Sequence, residues 1–248
     1  MDTYINKYES FKNTIVYDFQ LGHGGIGDCI KFFMFILESC IKNNIRLYYK
    51  INNIKIENYI KLKYDKMYIN EYMISQLEFV DIVQPSMYYN SYNYDYSIDI
   101  KDVFYFTDEV KINCNYLFPS NITSYISIHL RLGDKYLETD KNYVMCKDDV
   151  RIFSEENIYK IIEEYSNRTI FFCCDNNNYK LKIKSKYDNI VISICEIGHT
   201  SLSNTTEKQV LDSITEFYIL TNSEVIFAAC ESGFSIVASK FNNIPLIL

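Results

Sequence analysis

Four short segments carry residues that could do chemistry, and each follows a run that reads as a β-strand. The first is Gly22-His23-Gly24-Gly25-Ile26-Gly27-Asp28, which holds four of the seven glycines of the chain. Glycines there permit positive φ and let backbone N–H groups approach a ligand, and a helix starting behind them favours an anion. Gly24, Gly25 and Gly27 are the candidate ligand-binding positions. No Gly-Lys-Ser/Thr follows, so the segment is not a P-loop, and it lacks the G-x-G-x-x-G dinucleotide spacing. A tight strand-to-helix turn accounts for the same residues. The second segment is Ser127-Ile128-His129-Leu130-Arg131-Leu132-Gly133-Asp134. Strand side chains alternate, so His129 and Arg131 share a face. An arginine at the carboxyl end of a parallel strand can clamp a phosphate with paired N–H donors. A structural ion pair between Arg131 and Asp134 is the other reading. In the third segment, Ala229-Cys230-Glu231-Ser232-Gly233-Phe234-Ser235, the Gly233 and Phe234 amides with the Ser232 and Ser235 hydroxyls suit a diphosphate. Ser232 acting only as a helix cap is equally open. The fourth is Asp175, which can accept hydrogen bonds from a base or ribose, or cap the helix after it.

The elements that must position these residues alternate. Thr14–Phe19 reads as a strand, Cys29–Asn43 as an amphipathic helix and Ile45–Ile51 as a second strand. In the second half, Tyr125–Leu130, Thr169–Cys174, Ile190–Ile194 and Glu224–Ala229 read as strands. Ser154–Tyr165, Asn176–Ser185, Lys208–Leu220 and Gly233–Phe241 read as helices. This β-α-β alternation predicts an α/β chain with parallel, doubly wound sheets. Between the halves, Leu77–Val83 and Tyr96–Ile100 are weaker strand candidates. The tyrosine- and asparagine-rich stretch Met87–Tyr96 reads as a surface loop or edge, and Asn115–Asn121 as an inter-domain connection.

Composition narrows the class. Hydrophobic residues at 48% and charged residues at 23% belong to a globular protein. A net charge of −7 argues against binding nucleic acid along the chain. The longest apolar run, Cys29–Cys40, is interrupted by Lys31 and Glu38, so no membrane span is expected. Met1-Asp2-Thr3-Tyr4 shows no signal-peptide pattern. Eight cysteines form no C-x-x-C pair and no zinc-ligand spacing, which reads as reduced, buried thiols in a cytoplasmic protein with no metal site. Abundant Ile, Asn, Lys and Tyr match AT-rich coding, which weakens arguments from propensity.

Together the four segments resemble the α-1,2-fucosyltransferases, relatives of the α-1,6- and protein O-fucosyltransferases. His129-Leu130-Arg131-Leu132-Gly133-Asp134 is similar to their H-x-R-R-G-D motif, and Gly24-Gly25-Ile26-Gly27-Asp28 to their G-G-L-G-N-Q segment. Asp175 stands where the family has an Asp after its F-S-D strand. Asp212 through Ser239, with Ser232-Gly233-Phe234-Ser235, is similar to the segment ending S-S-F-S. The chain departs at Leu132, where the family has a second arginine, at Asp28-Cys29 in place of Asn-Gln, and at Cys174 in place of Ser.

The resemblance implies a GT-B-like fold of two Rossmann-like parallel-sheet domains. Residues 1–120 would form an N-terminal domain bearing the glycine loop on the acceptor side. Residues 121–248 would form the C-terminal nucleotide-sugar-binding domain. It implies an inverting, metal-independent transfer of L-fucose from GDP-fucose to a glycan hydroxyl, with no cofactor beyond the donor. Arg131 would hold the β-phosphate and stabilise the departing GDP. His129 and Asp175 would contact the nucleoside, and Ser232, Gly233, Phe234 and Ser235 would line the phosphate and base site. The glycine loop would face donor sugar and acceptor, and Asp28 beside it is the candidate base. Another GDP- or UDP-sugar as donor, or a non-catalytic nucleotide-sugar- or glycan-binding domain of a longer multi-domain chain, are the competing expectations. His199 reads as an exposed loop histidine without a role, or as part of a flap over the donor. The tyrosine-rich stretch reads as coding bias, or as a stacking surface for an acceptor sugar.

Overall fold

The computed structural model describes residues 1–88, 94–137, 146 and 148–248. Helix α1 (Asp2–Asn6) precedes strand β1 (Thr14–Tyr17), helix α2 (Ile26–Asn43) and strand β2 (Arg46–Lys50). Next come α3 (Ile56–Tyr59), β3 (Ile60–Leu62), β4 (Tyr68–Ile69), α4 (Glu71–Ile74), β5 (Val80–Val83), β6 (Phe104–Phe106) and α5 (Asp108–Leu117). The first sheet has the order β4-β2-β1-β5, all parallel. β1 therefore lies between β2 and β5, and the chain winds outward from it first on one side and then on the other. The order reverses there, and ligand crevices form at such points. β3 and β6 pair antiparallel as a separate ribbon.

The second sheet repeats the plan. Its strands are β7 (Ile126–Leu130), β8 (Ile170–Cys174), β9 (Ile190–Val191), β10 (Ile226–Ala228) and β11 (Leu246–Ile247), in the parallel order β11-β10-β7-β8-β9. Helices α6 (Glu155–Glu164), α7 (Asn177–Lys184), α8 (Glu207–Thr221) and α9 (Gly233–Phe241) connect them. β7 and β8 are buried along their whole length; β8 runs apolar without alternation, whereas β7 alternates, with Ser127 and His129 buried between its apolar residues. Ser154 caps α6 as expected, its hydroxyl accepting from the Asn157 N–H. The winding reverses between β7 and β10, so the second crevice opens beyond the carboxyl ends of those strands.

Several boundaries differ from the sequence reading. α2 begins at Ile26, so Gly27 and Asp28 belong to its first turn and not to a loop. Residues 96–99 form no strand, and Ile100–Asp102 is a short 3-10 turn. The Ser97 N–H and hydroxyl donate to Glu38 of α2, which removes them from any ladder. β9 stops at Val191 because the groups of Ser193 turn to Lys180 and Glu216. Asn115–Leu117 closes α5 and is no linker. Residues 89–93 of the tyrosine-rich stretch lie outside the described residues, as do 138–145 and 147 after Leu132.

One hydrophobic cluster spans the two sheets. It joins Tyr17, Phe33, Phe104 and Phe106 from the first half to Phe171, Ile214, Phe217 and Phe241 from the second. α8 lies against α5, with buried Asn113 donating to Asp212 (3.0 Å) and to Thr215 (2.9 Å).

Candidate functional site

The two crevices face one another and merge into a cavity of about 580 Å³, within the size range of small-molecule sites. The first half contributes the amino end of α2. Gly24, at φ +118°, makes the turn from the loop into the helix. Gly25 is the N-cap, and its N–H donates to Asp28 Oδ2 at 3.1 Å. Asp28 Oδ1 meets Lys31 Nζ at 2.7 Å. Gly27 packs against the backbone of Gly233, so closely that a Cβ there would stand 2.8 Å from its carbonyl. The glycine segment thus serves close approach between the halves, while the Gly22, Gly24 and Gly25 N–H groups are taken by Ser201 and Asp28.

The second half supplies the charged side chains. Arg131, just beyond β7, is held on both sides, by Asp134 and by Asp175 Oδ2 at 3.2 Å. The Arg131–Asp134 pair anticipated as the structural alternative is therefore present. A guanidinium carries five N–H donors, so two carboxylates leave others for a ligand. Asp175 accepts from the Leu132 N–H (2.7 Å) and the Gly133 N–H (3.1 Å) as well, so it pins the turn that aims Arg131. Burial pushes the Asp175 carboxyl up, against the pull of Arg131 and these amides. It does not cap α7: Asn176 does, accepting from the Tyr179 N–H at 2.8 Å.

His129 is buried, its ring stacked on Phe234 with centroids 5.3 Å apart. Burial, with Arg131 and Lys180 nearby, lowers its pKa to about 3, so it is a neutral imidazole near neutrality. Its Nδ1 is buried with no hydrogen-bond partner among the described residues. Ser232 caps α9, its hydroxyl accepting from the Phe234 N–H at 3.3 Å. Ser235 is buried and donates to the Ser232 carbonyl at 3.2 Å. Gly25, Gly27, Asp28, His129, Arg131, Asp175, Ser232, Gly233 and Phe234 all line the cavity. Gly24 and Ser235 are not among its lining residues and sit behind it, supporting the two helix starts.

Other lining residues were missed or set aside in the sequence. His199 lines the cavity, half-buried, which corrects its reading as an exposed loop residue. Its loop is latched to the glycine loop: Ser201 Oγ accepts from the N–H groups of Gly22 (2.8 Å) and Gly24 (3.2 Å). His199 Nδ1 accepts from the Ser201 N–H at 3.2 Å, which leaves Nε2 to carry the proton of the neutral ring. Burial and Arg131 lower its pKa, partly opposed by Asp134, Asp28 and Asp149. Arg151 also lines the cavity. Its N–H bonds the Leu132 carbonyl at 3.0 Å, and its side chain pairs with Asp149 at 3.0 Å. Lys31, Glu216 and Glu231 complete the charged lining. The sequence carried a signal for Lys31, an ionisable residue inside the largely apolar run Cys29–Cys40. Buried Cys173 and Cys195 reach the cavity wall, but burial raises both thiols and leaves them poor nucleophiles.

No protein-family model matches the chain, and no curated protein matches it in sequence. Solved structures do match. NodZ α-1,6-fucosyltransferase soaked with GDP-fucose superposes with TM-score 0.58 at 9% identity, over 93% of this chain and 92% of that one. NodZ is from Bradyrhizobium. POFUT1 in complex with GDP gives 0.53 at 11% identity, over 95% and 98%. A mutant of Arabidopsis thaliana FUT1 in complex with GDP gives 0.58 at 10% identity, over 99% and 73%. The fold is GT-B-like. Its two parallel sheets are the Rossmann-like units of that architecture, and the cavity lies between them. Among the described residues no helix is long and apolar enough to cross a membrane. Among the same residues no three or more His, Cys, Asp or Glu side chains gather as a metal site would require.

Proposed function

We propose that this protein is an inverting glycosyltransferase that moves L-fucose from GDP-fucose to a glycan hydroxyl without a metal ion, in the manner of the α-1,2-fucosyltransferases. The observation that carries the reading is the convergence of Arg131 with the amino ends of α2 and α9 on one cavity. The fold supports it, since its neighbours include fucosyltransferases in complex with GDP or soaked with GDP-fucose.

The chemistry asks for stabilisation of negative charge on the departing diphosphate. Donors fixed before the reaction supply it without reorganisation. Asp134 and Asp175 hold Arg131 in place, and its remaining N–H groups meet the β-phosphate. The Phe234 N–H is spent on Ser232, so the Gly233 N–H is the α9 donor that meets the anion, aided by the helix dipole. Arg151 supplies the second cation. It is tied through its backbone to Leu132, the position at which the resembling family has its second arginine. His199 Nε2–H adds a neutral donor from the second half. Asp28, fixed by Lys31 and the Gly25 N–H, accepts the proton of the acceptor hydroxyl from the α2 side. The eight free cysteines fit a reducing, cytoplasmic setting.

The test is turnover of GDP-fucose, read as GDP release with and without glycan acceptors, in the presence of EDTA. Release that persists in EDTA and vanishes with UDP-sugars supports the reading. Release that needs a divalent cation refutes the metal-free mechanism. Release from UDP-sugars alone refutes the donor.

A further inference from the structure

The carboxyl ends of β1, β2 and β5 carry a polar cluster that the steps above leave unused. Asp18 directly follows β1 and is buried. Its Oδ1 accepts from Asn52 Nδ2 at 2.8 Å, and its Oδ2 from Gln20 Nε2 at 2.6 Å and Gln84 Nε2 at 3.2 Å. Asn52 Nδ2 also donates to the Phe19 carbonyl at 2.9 Å. A carboxylate only accepts, so each of these amides must turn its NH2 inward. The orientation of every amide in the cluster is thereby set, and its carbonyl oxygen is left over. Gln20 Oε1, Asn52 Oδ1 and Gln84 Oε1 take no hydrogen bond among the described residues. Gln20 is exposed, and Asn52 and Gln84 are half-buried. Leu21 and Ile51, adjacent to Gln20 and Asn52 in sequence, add exposed apolar surface. The local charge is acidic, since Lys50 Nζ is shared between Asp18 at 4.0 Å and Glu71 at 2.6 Å.

The place of the cluster matters as much as its chemistry. It sits where the first sheet reverses its winding between β1 and β5. Gln20 shares a loop with Gly25, which lines the cavity and accepts Asp28 at its N–H. The chain from Gln20 to Gly25 reaches at most about 18 Å, a span that a short oligosaccharide covers.

We propose that Gln20, Asn52 and Gln84 form a saccharide subsite, their outward carbonyls accepting from hydroxyls of a neutral acceptor glycan at sugar units beyond the one that reacts. The assignment rests on the glycosyl-transfer reading and names the class of acceptor. Asp18 touches no sugar and is a positioning residue. Amides fixed before the ligand arrives lose little freedom on binding it. Carbonyl acceptors select ligands that present donors, as sugar hydroxyls do. The carboxylates of acidic sugars present further acceptors and meet Asp18 and Glu71. A neutral tetrasaccharide should therefore bind more tightly than its component monosaccharides and more tightly than tetragalacturonate.

The experiment is calorimetric titration of the full chain with maltotetraose, cellotetraose, lacto-N-tetraose and tetragalacturonate, with glucose, galactose and N-acetylglucosamine as the short probes. At least one neutral tetrasaccharide should bind wild type about tenfold or more tighter than its monosaccharides, the yield of two or three net hydrogen bonds. Gln20→Leu and Gln84→Leu should each lower that tetrasaccharide's affinity about 2- to 10-fold and narrow its advantage over the monosaccharides. Gln20 is exposed and its side chain meets only Asp18 among the described residues, so this variant should fold, which a melting curve checks. Asp18→Asn should weaken the tetrasaccharide as well, because an amide in its place no longer holds both glutamines turned inward. A wild type that binds none of the neutral tetrasaccharides, or binds tetragalacturonate equally well, overturns the proposal. So does a folded Gln20→Leu protein with the wild-type ratio of tetrasaccharide to monosaccharide affinity. GDP binding by the same samples then leaves the GDP-sugar reading standing. A wild type that binds a neutral tetrasaccharide through these amides but binds no GDP supports the subsite and overturns the donor reading.

Discussion

Replacing Gly27 by alanine tests whether the two halves meet as closely as the cavity requires. A methyl group there would stand 2.8 Å from the carbonyl carbon and oxygen of Gly233 and 3.1 Å from the Phe234 nitrogen. All three are backbone atoms, so no rotamer change relieves the clash. Ordinary contact begins near 3.4 Å, and the amino end of α9 must retreat by about 0.6 Å to reach it. Overpacking of this kind costs about 1–3 kcal/mol. For a chain of this length each kcal/mol lowers Tm by roughly 2–4 °C. The retreat also displaces the Gly233 N–H, the donor proposed for the phosphate, so GDP affinity should fall with stability. Gly25→Ala is the control. Its Cβ meets only the Thr200 hydroxyl, at 3.4 Å, and its φ of −86° suits any residue. That change should cost under about 1 kcal/mol, the scale of a lost N-cap preference. Scanning calorimetry of both variants, with and without saturating GDP, makes the comparison. A Gly27→Ala protein that melts with the wild type and binds GDP as tightly refutes the argument.

Arg131→Ala should lower kcat for GDP-fucose turnover by about 10²–10³, the usual loss for one fixed donor to a developing anion. Arg131→Lys should recover little, because an ammonium cannot span Asp134, Asp175 and a phosphate together; near-wild-type kcat in either variant would remove Arg131 from the mechanism. His129 has a folded pKa of about 3 against an ordinary 6.5, so its stabilising contribution is complete above pH 6.5 and is lost as pH falls toward 3. Urea unfolding from pH 8 to 4.5 should show a slope approaching about 1.4 kcal/mol per pH unit from this group. His199 adds to the slope in the same direction, and a His129→Gln protein with an undiminished slope would refute the assignment. Ser201→Ala removes the hydroxyl that accepts from the Gly24 N–H, while the Gly22 N–H keeps the Ser201 carbonyl at 3.0 Å, and should cost about 1–3 kcal/mol and raise KM for the donor; unchanged hydrogen exchange at Gly24 would argue against the latch.

The parts of the architecture that the sequence made legible are those whose information is local. The β1, glycine turn, α2 and β2 unit rests on glycine chemistry and a 3.6-residue apolar period, and it differs from expectation by a few residues at its ends. β8 was equally plain as a continuous apolar run of a buried parallel strand, β7 by its alternating β-branched and polar residues, and α9 by its start at Ser232-Gly233. What escaped depends on partners distant in sequence. β3 finds β6 across more than forty residues, and β11 is a two-residue strand whose identity comes from β10. Tyr96–Ile100 has a strand's composition, yet Glu38 takes the Ser97 N–H. In the site, segments that follow strands revealed Arg131, Asp175 and Ser232, because crevices form there. Lys31, His199, Arg151 and Glu216 reach the same cavity from a helix face or a long loop. Their spacing from the recognised motifs carries no fixed geometry, and only the folded chain places them.

The position of α8 has a consequence for how the molecule comes apart. Phe217 and Ile214 belong to the same apolar cluster as Tyr17 and Phe33, Asn113 reaches across to Asp212 and Thr215, and Tyr59 donates to Glu207 at 2.9 Å. The helix is coded in the second half and clothed by the first. A chain nicked near residue 120 would yield an early fragment with an uncovered α5 face and a late fragment with a bare α8. Neither should be a stable soluble body by itself. Mixed together, the fragments should reassociate and regain nucleotide binding jointly, as complementing pieces of one cooperative unit and not as two modules joined by a tether.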